Sequence, residues 1–210
     1  MLKTLSILFM GLLSLGAQAQ QKQLYWGAEL GSSTLGDATA DLNNVLVSRF
    51  GGSASSTQDK SIGMFKIVGG YRYSEFVDME LAYLQSNSAK SNFKGVSSGS
   101  NAYSGNATVN FSGIEYAVNL RPSISSGWNG AYFRIGGHNI KLISKASITG
   151  TQTQQFADSN SGAGLLYGVG YDTALNTSTK VRFSAVKYFK FAGEYEDTAS
   201  FLSLGLVRDF

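Results

Sequence analysis

Nine charged side chains recur in the alternating segments of this chain: Glu29, Lys66, Arg72, Asp78, Glu80, Glu115, Arg134, Asp172 and Arg182. Carboxylates and cations set among apolar neighbours can do one of two things. They can pair into a network that satisfies buried charge, or they can exchange partners and gate ions. Counted up from the short connections, Glu29, Glu80, Glu115, Arg134, Asp172 and Arg182 fall at similar heights, blurred only by strand tilt. The spacing predicts that Glu115 meets Arg134 and Asp172 meets Arg182 on neighbouring strands. Lys66 or Arg72 is expected to reach Asp78 or Glu80. In an interior just wide enough for side chains, the structural network is favoured over the gate.

Catalytic chemistry finds little support. His138 is the only histidine, and a catalytic imidazole needs a nucleophile or carboxylate within hydrogen-bond reach. His138-Asn139-Ile140 offers none, and the parity of its segment points the ring inward. With no cysteine, thiolate metal sites and disulfides are excluded. No catalytic, cofactor-binding or metal-binding residue is therefore assigned, and a lipid-modifying enzyme is kept only as a third reading.

Side chains that share a face in this way require strands, where neighbours alternate across the sheet. Eight alternating segments stand out, at about 24–33, 61–73, 76–85, 108–120, one beginning near 130, then 162–172, 180–188 and 201–210. In the first, Trp26, Ala28 and Leu30 oppose Tyr25, Gly27, Glu29 and Gly31. In the third, Val77, Met79, Leu81 and Tyr83 oppose Asp78, Glu80 and Ala82. In the sixth, Leu165, Tyr167, Val169 and Tyr171 oppose Gly164, Gly168, Gly170 and Asp172. The last puts Leu202, Leu204, Leu206 and Phe210 on one face and Ser203, Gly205, Val207 and Asp209 on the other. Apolar residues outside and polar ones inside are the reverse of a soluble barrel.

The amino terminus reads as an export signal: Lys3, an apolar run from Leu5 to Leu15, and a small-x-small cleavage site at Ala17-Gln18-Ala19. Residues 1–19 are expected to be removed, leaving 20–210 as one domain. After Gln20 no apolar run approaches the ~20 residues of a membrane helix. A mean hydropathy of -0.05 is no obstacle to a membrane barrel, which needs apolar residues only at alternate positions. The 17 Lys and Arg, one of them Lys3, against 14 Asp and Glu give too mild a balance for nucleic acid.

Connections alternate in length. Ser74-Glu75 is a tight turn, and 121–129 and 174–179 are short. By contrast 34–60 and 86–107 are long, as is 144–161, and all three are polar. Short periplasmic turns against long extracellular loops are the asymmetry of bacterial transmembrane barrels, and an even strand count puts both termini in the periplasm. Loop one contains Leu42, Val45, Leu46 and Arg49 at helical spacing, which predicts a short amphipathic helix capping the mouth or facing a partner. Loops two and three, rich in Ser, Asn, Gly, Thr and Gln, are expected to be exposed and mobile.

Tyr25-Trp-Gly-Ala-Glu-Leu-Gly31, Gly69-Gly-Tyr-Arg-Tyr73 before its tight turn, Tyr167-Gly-Val-Gly-Tyr171 and the terminal Phe210 resemble the eight-stranded outer-membrane barrels of the OmpA-like transmembrane domain and opacity-protein family. The resemblance spans the whole mature chain, without the peptidoglycan-binding domain of the longer relatives. It implies an all-β, eight-stranded antiparallel up-and-down transmembrane barrel behind a cleavable signal. It also implies Phe210 as the signal read by the barrel-assembly machinery, with periplasmic chaperones as partners. Arg208 departs from the family, which often has an aromatic there. Tyr71, Tyr73, Tyr171, Trp26 and Phe210 share the lipid-facing parity as an interfacial girdle. Lys141, Lys187 and Lys190 near the outer rim could contact lipopolysaccharide phosphates or mark the end of the hydrocarbon. The expected role is structural or surface-interacting, through loops that could meet an extracellular or host ligand, with little pore activity. A small low-conductance channel is the alternative.

Overall fold

Outward apolar residues at every second position make these segments strands, and the strands close into a barrel. The computed structural model describes residues 24–34, 39–122, 130–150, 153–193 and 198–210. The expected signal peptide at 1–19 lies outside them, as does most of the 121–129 turn. The described residues form β1 (Leu24–Thr34), α1 (Thr39–Phe50), β2 (Ser53–Gln58), β3 (Ser61–Arg72), β4 (Val77–Ser86), β5 (Ala89–Val96), β6 (Ala102–Leu120), β7 (Ala131–Thr149), β8 (Thr153–Ala174), β9 (Thr179–Phe189), a 3-10 turn (Phe191–Gly193) and β10 (Thr198–Asp209).

β2 continues into β3 and β4 into β5 across short breaks, so the barrel has eight staves, all antiparallel. The breaks are cross-stitched. Asp59 donates its backbone N–H to the Lys90 carbonyl at 2.9 Å and accepts the Lys90 N–H on its carboxylate at 3.1 Å. β10 pairs with β1, with Tyr25 opposite Asp209 and Leu30 opposite Leu204, and this closes the ring.

Ladder partners traced once around the wall run Leu24, Tyr71, Met79, Val118, Ile135, Tyr167, Lys187, Ser200 and Thr34. The path returns to β1 ten residues higher. For eight strands that stagger means a tilt of about 40°.

Outward-facing Leu30 and Leu165 are 66% and 69% exposed, while inward-facing Glu29, Lys66, Arg134 and Arg182 are buried. The apolar band on β1 runs from Leu24 to Leu30, about 15 Å of height at ~3.3 Å per tilted residue. Trp26, Tyr73, Tyr171 and Phe210 ring its lower edge on the outside, and Phe210 donates its N–H to the Leu24 carbonyl at 3.1 Å.

Two tyrosines lie flat across glycines of the next strand. The Tyr25 ring occupies the space a Cβ on Gly70 would need, and Tyr132 does the same over Gly170. A side chain at either glycine would lift the ring off the wall.

The expected long loops are mostly strand. β6, β7 and β8 climb to Ala102, Thr149 and Thr153, and with β2 and β5 they make a five-stranded wall well above the apolar band. Ser, Thr and Asn fill their outer face and much of the inner one, where apolar residues such as Phe93, Tyr103 and Ile148 are few, so polarity alone hid the strands. β1, β9 and β10 end lower, and the wall is tall on one side only. Its edge at β8 is blunted, because Asp158 and Asn160 accept the N–H groups of Ser159 and Ser161, each at 2.8 Å.

The predicted helix is present as α1, packed on the inner face of the tall wall. Leu46 is buried there with Phe93, Tyr103 and Ile148, flanked by Leu42, Phe50 and Phe156. Arg49 sits 4.4 Å over the Phe156 ring. Val45, expected on the apolar side, points to solvent at 61% exposure, since one helix face suffices for a contact this small.

Below α1 the lumen is apolar, which the polar-inside pattern did not anticipate. Ile62, Met64, Leu84, Phe111, Ile140, Leu166 and Tyr188 form one cluster. The 3-10 turn folds into it: Phe191 packs edge-on against Phe111 at 4.8 Å between centroids, and Ala192 is buried. Positive φ at Lys190 (51°), Ala192 (54°) and Gly193 (95°) makes this reversal possible.

Phe93→Ala removes the ring that joins α1 to the wall, at a local cost of about 3 kcal/mol. Limited proteolysis should then cut within 39–58, while the heat-modifiable gel shift of the folded barrel persists.

Candidate functional site

Parity carries the charged residues into the lumen, and the shear of ten stacks them in two layers. In the central layer Arg134, on β7, donates from Nε to Glu115 Oε1 at 2.8 Å and from Nη1 to Glu80. Arg182, on β9, grips Asp172 with Nε and Nη2 at 2.8 and 3.0 Å, and reaches Glu80 Oε1 at 2.6 Å. Lys66 Nζ lies 3.1 Å from Glu29 Oε2 and 4.0 Å from Glu115 Oε1. These side chains are all buried.

Each glutamate also accepts from a hydroxyl. Tyr25 donates to Glu80 at 2.6 Å and Tyr188 to Glu115 at 2.7 Å. Ser203 and Ser184 donate to Glu29 at 2.5 and 2.9 Å. A buried carboxylate with a cation and a hydroxyl on it has most of its lone pairs satisfied, the condition under which a desolvated ion pair is tolerated.

The lower layer lies toward the chain termini. Arg121 spans Asp78 and Asp172, at 2.7 Å to each. Arg72 binds Asp209 at 2.6 Å and approaches Asp78 at 4.0 Å, and Lys180 approaches Asp209 at 3.7 Å. The two layers are joined through aromatic faces. Guanidinium carbons of Arg72 and Arg182 stand 5.0 and 5.9 Å from the Tyr25 ring, and those of Arg182 and Arg121 stand 5.1 and 5.2 Å from Tyr132. The order Arg72, Tyr25, Arg182, Tyr132, Arg121 is a cation–π stack across the barrel floor.

Among the described residues, six acids (Glu29, Asp78, Glu80, Glu115, Asp172, Asp209) face six bases (Lys66, Arg72, Arg121, Arg134, Lys180, Arg182) in this interior. The balance leaves no net charge to draw an ion of either sign.

All nine residues singled out in the sequence face the lumen. Glu115 meets Arg134 and Asp172 meets Arg182, and Arg72 touches Asp78 but binds Asp209 more closely. Lys66 turns to Glu29 and Glu115 instead of Asp78 or Glu80. Sequence reasoning missed Arg121, Lys180 and Asp209, which sit at strand ends. It also missed the hydroxyls of Tyr25, Tyr188, Ser184 and Ser203, although all four share the parity of the charged residues they serve.

His138 lies above the charges, in the apolar layer. Its Nε2–H donates to the Phe189 carbonyl at 3.0 Å, and the Tyr188 ring stands 5.4 Å away. Among the described residues no group of three or more His, Asp or Glu could hold a metal ion. Lys141 and Lys187 face outward, and Lys187 Nζ stands 5.5 Å from the Phe189 ring. Lys190 lies in the reversal that leads the chain over the lumen.

Arg134→Leu strands Glu80 and Glu115 beside a lost cation and should cost about 3–5 kcal/mol. Arg134→Leu with Glu115→Leu should recover part of that loss. Urea unfolding of the protein refolded in vesicles reads both variants.

No curated protein matches this sequence. Among solved structures, Ail, the attachment invasion locus protein of Yersinia pestis, is similar at 9% identity and a TM-score of 0.47, covering 91% of this chain and all of that one. Outer membrane protein OprG of Pseudomonas aeruginosa matches at 9% identity and a TM-score of 0.42, over 90% of this chain and 97% of its own. The amino-terminal barrel domain of Pseudomonas aeruginosa OprF matches at 11% identity and a TM-score of 0.41, over 91% of this chain and all of that one. The family model described as the outer membrane protein beta-barrel domain matches residues 5–210, and so nearly the whole chain. This chain belongs to the outer-membrane β-barrel family.

Proposed function

We propose that this protein is a closed outer-membrane barrel with a structural or surface-interaction role, worked from its tall outer wall rather than through its lumen. One observation carries the reading: the lumen holds two layers of charge that balance together, then an apolar layer into which Phe191 packs, then α1. A route for ions would have to cross hydrocarbon side chains above the charges, where a desolvated ion is costly. Enzymatic chemistry has no part in the reading.

The apolar band supports the depth in this reading, and the tall polar wall supports the direction. Both termini and the tight Ser74-Glu75 turn face the periplasm, and β2, β5, α1 and the upper parts of β6, β7 and β8 stand outside the cell. Phe210, 71% exposed at the end of β10, is the side chain presented to the assembly machinery and the chaperones that deliver the chain. Arg208 beside it lies at headgroup level, where a long cation snorkels. Outside, α1 and the wall offer a rigid platform for an extracellular ligand.

Refolded 20–210 should leave planar bilayers silent, with the gel shift showing that it is folded. Discrete steps that change with Glu115→Gln and Arg134→Gln would replace this reading with the small channel. On cells that bind a surface ligand through this protein, deleting 39–58 and the segments 97–101 and 150–152 should abolish binding and leave the barrel intact. Binding that survives the deletions would exclude the platform.

A further inference from the structure

We propose that the outer face of the tall wall binds an acidic polysaccharide chain, along a row of amides and hydroxyls bracketed by Lys90, Lys94 and Lys145. The proposal rests on the platform reading above and names the class of ligand for it.

The wall turns alternate residues outward, and the ladder sets them in rows. Asn92 on β5, Asn106 on β6, Ser147 on β7 and Gln155 on β8 are successive ladder partners, so three amides and a hydroxyl cross four strands side by side. Thr57 of β2, the partner of Asn92, extends the row by one more hydroxyl. Phe93 and Ile148 hold the opposite parity and pack toward α1, so the row faces away from the helix. A depression of about 440 Å³ lies over its middle, lined by Asn106, Ser147 and Gln155 together with Thr108 and Lys145.

The cations stand on either side of the row. Lys90 and Lys145 both pair with Thr108, one from each neighbouring strand, in the outward row below. Two strand spacings separate them, about 10 Å. Lys94, the partner of Ser104, stands in the outward row above. All three lysines are exposed. Among the described residues of these rows no carboxylate opposes them. Asp59, at the break before β3, accepts the Lys90 N–H, and Asp158, on the inward parity of β8, accepts the Ser159 N–H.

Amides both donate and accept, as sugar hydroxyls do, and spaced ammonium groups suit carboxylates or sulfates carried by the same chain. These rows present no aromatic ring outward, so nucleic-acid bases would have nothing to stack on. They present no large apolar side chain either, the anchor that a protein partner would need. Paired backbone holds the groups at fixed spacing before a ligand arrives, which favours an extended, repeating one. Lys145 is ten residues up β7 from Ile135, about 25 Å higher at the tilt of the wall, clear of the apolar band.

The test uses the mature protein refolded in phosphatidylcholine nanodiscs. The probes are a defined oligogalacturonate, its neutral methyl ester, chondroitin sulfate and polyglutamate, and biolayer interferometry reads each affinity. Wild type should bind at least one of the two acidic glycans about tenfold more tightly than the ester or polyglutamate. Lys90→Gln with Lys145→Gln should weaken that glycan about tenfold, to the level of the ester, while Lys90→Arg with Lys145→Arg should keep it. Asn106→Ala with Gln155→Ala should erase the preference over polyglutamate. Lys187→Gln, an outward lysine off the tall wall, should bind as wild type.

Failure of both acidic glycans to bind would overturn the proposal, as would equal affinity of wild type for polyglutamate. A loss in Lys187→Gln matching that of the double lysine variant would do the same. The gel shift verifies folding of every variant. The platform reading is tested apart, by labelling Ser100→Cys on intact cells. Glycan binding without surface labelling would reject the platform and leave the site. Labelling without glycan binding would reject the site alone.

Discussion

Closure with a stagger of ten residues is the constraint on which the rest of this structure depends. In hydrocarbon no backbone group can turn to water, so the sheet must meet itself, and β10 must find β1 in register. Eight staves at about 40° leave a lumen that side chains alone can fill. Once the lumen is that narrow, every polar group placed in it needs a partner within it. The hydroxyls on Glu29, Glu80 and Glu115, and the tyrosines wedged between arginines, are consequences of that narrowness.

The same constraint explains the two-layer interior. Charges occupy the half of the lumen toward the termini, where Arg72, Lys180 and Arg121 remain partly open to solvent. Above Lys66 and Glu115 the inward positions become Met64, Ile62, Phe111 and Ile140. There the wall is polar outside and apolar inside, the arrangement of a soluble protein. The chain thus changes sidedness along its own strands. In the band the apolar face looks out to lipid, and above the band it looks in, onto Phe191 and α1. A segment such as β7, with Phe133 and Ile135 outward but Ile140 and Ile148 inward, belongs to both regimes.

This change of sidedness sets how much could be read from the sequence. Within the band the alternation of Trp26 with Glu29, or Leu81 with Glu80, is clean, and the parity that separates lipid from lumen is legible residue by residue. Above it, 86–107 and 144–161 carry Ser, Asn and Thr on one face and isolated Phe93, Ile148 and Phe156 on the other. Too few apolar residues remain there to signal a strand, although ladder bonds hold one. Arg121, Lys180 and Asp209 were hidden for another reason: they lie at strand ends, where a charge ordinarily reads as the place the wall meets water. Lys66 went to a different glutamate because partner choice depends on stagger, and stagger is set by closure, not by any one segment.

Wall height is the remaining asymmetry, and it follows from where apolar residues were available to support it. β5, β6 and β7 rise high because Phe93, Tyr103 and Ile148 have α1 to pack against. β9 and β10 stop low because the chain between them turns inward, giving Phe191 to the lumen instead of extending the wall. A taller β9 would need its own inner partner, and the single helix is already held by the opposite wall through Leu46 and Arg49. The short side therefore lays bare the upper end of β9, where Lys187 and Phe189 face outward with no continuation of their own strand above them.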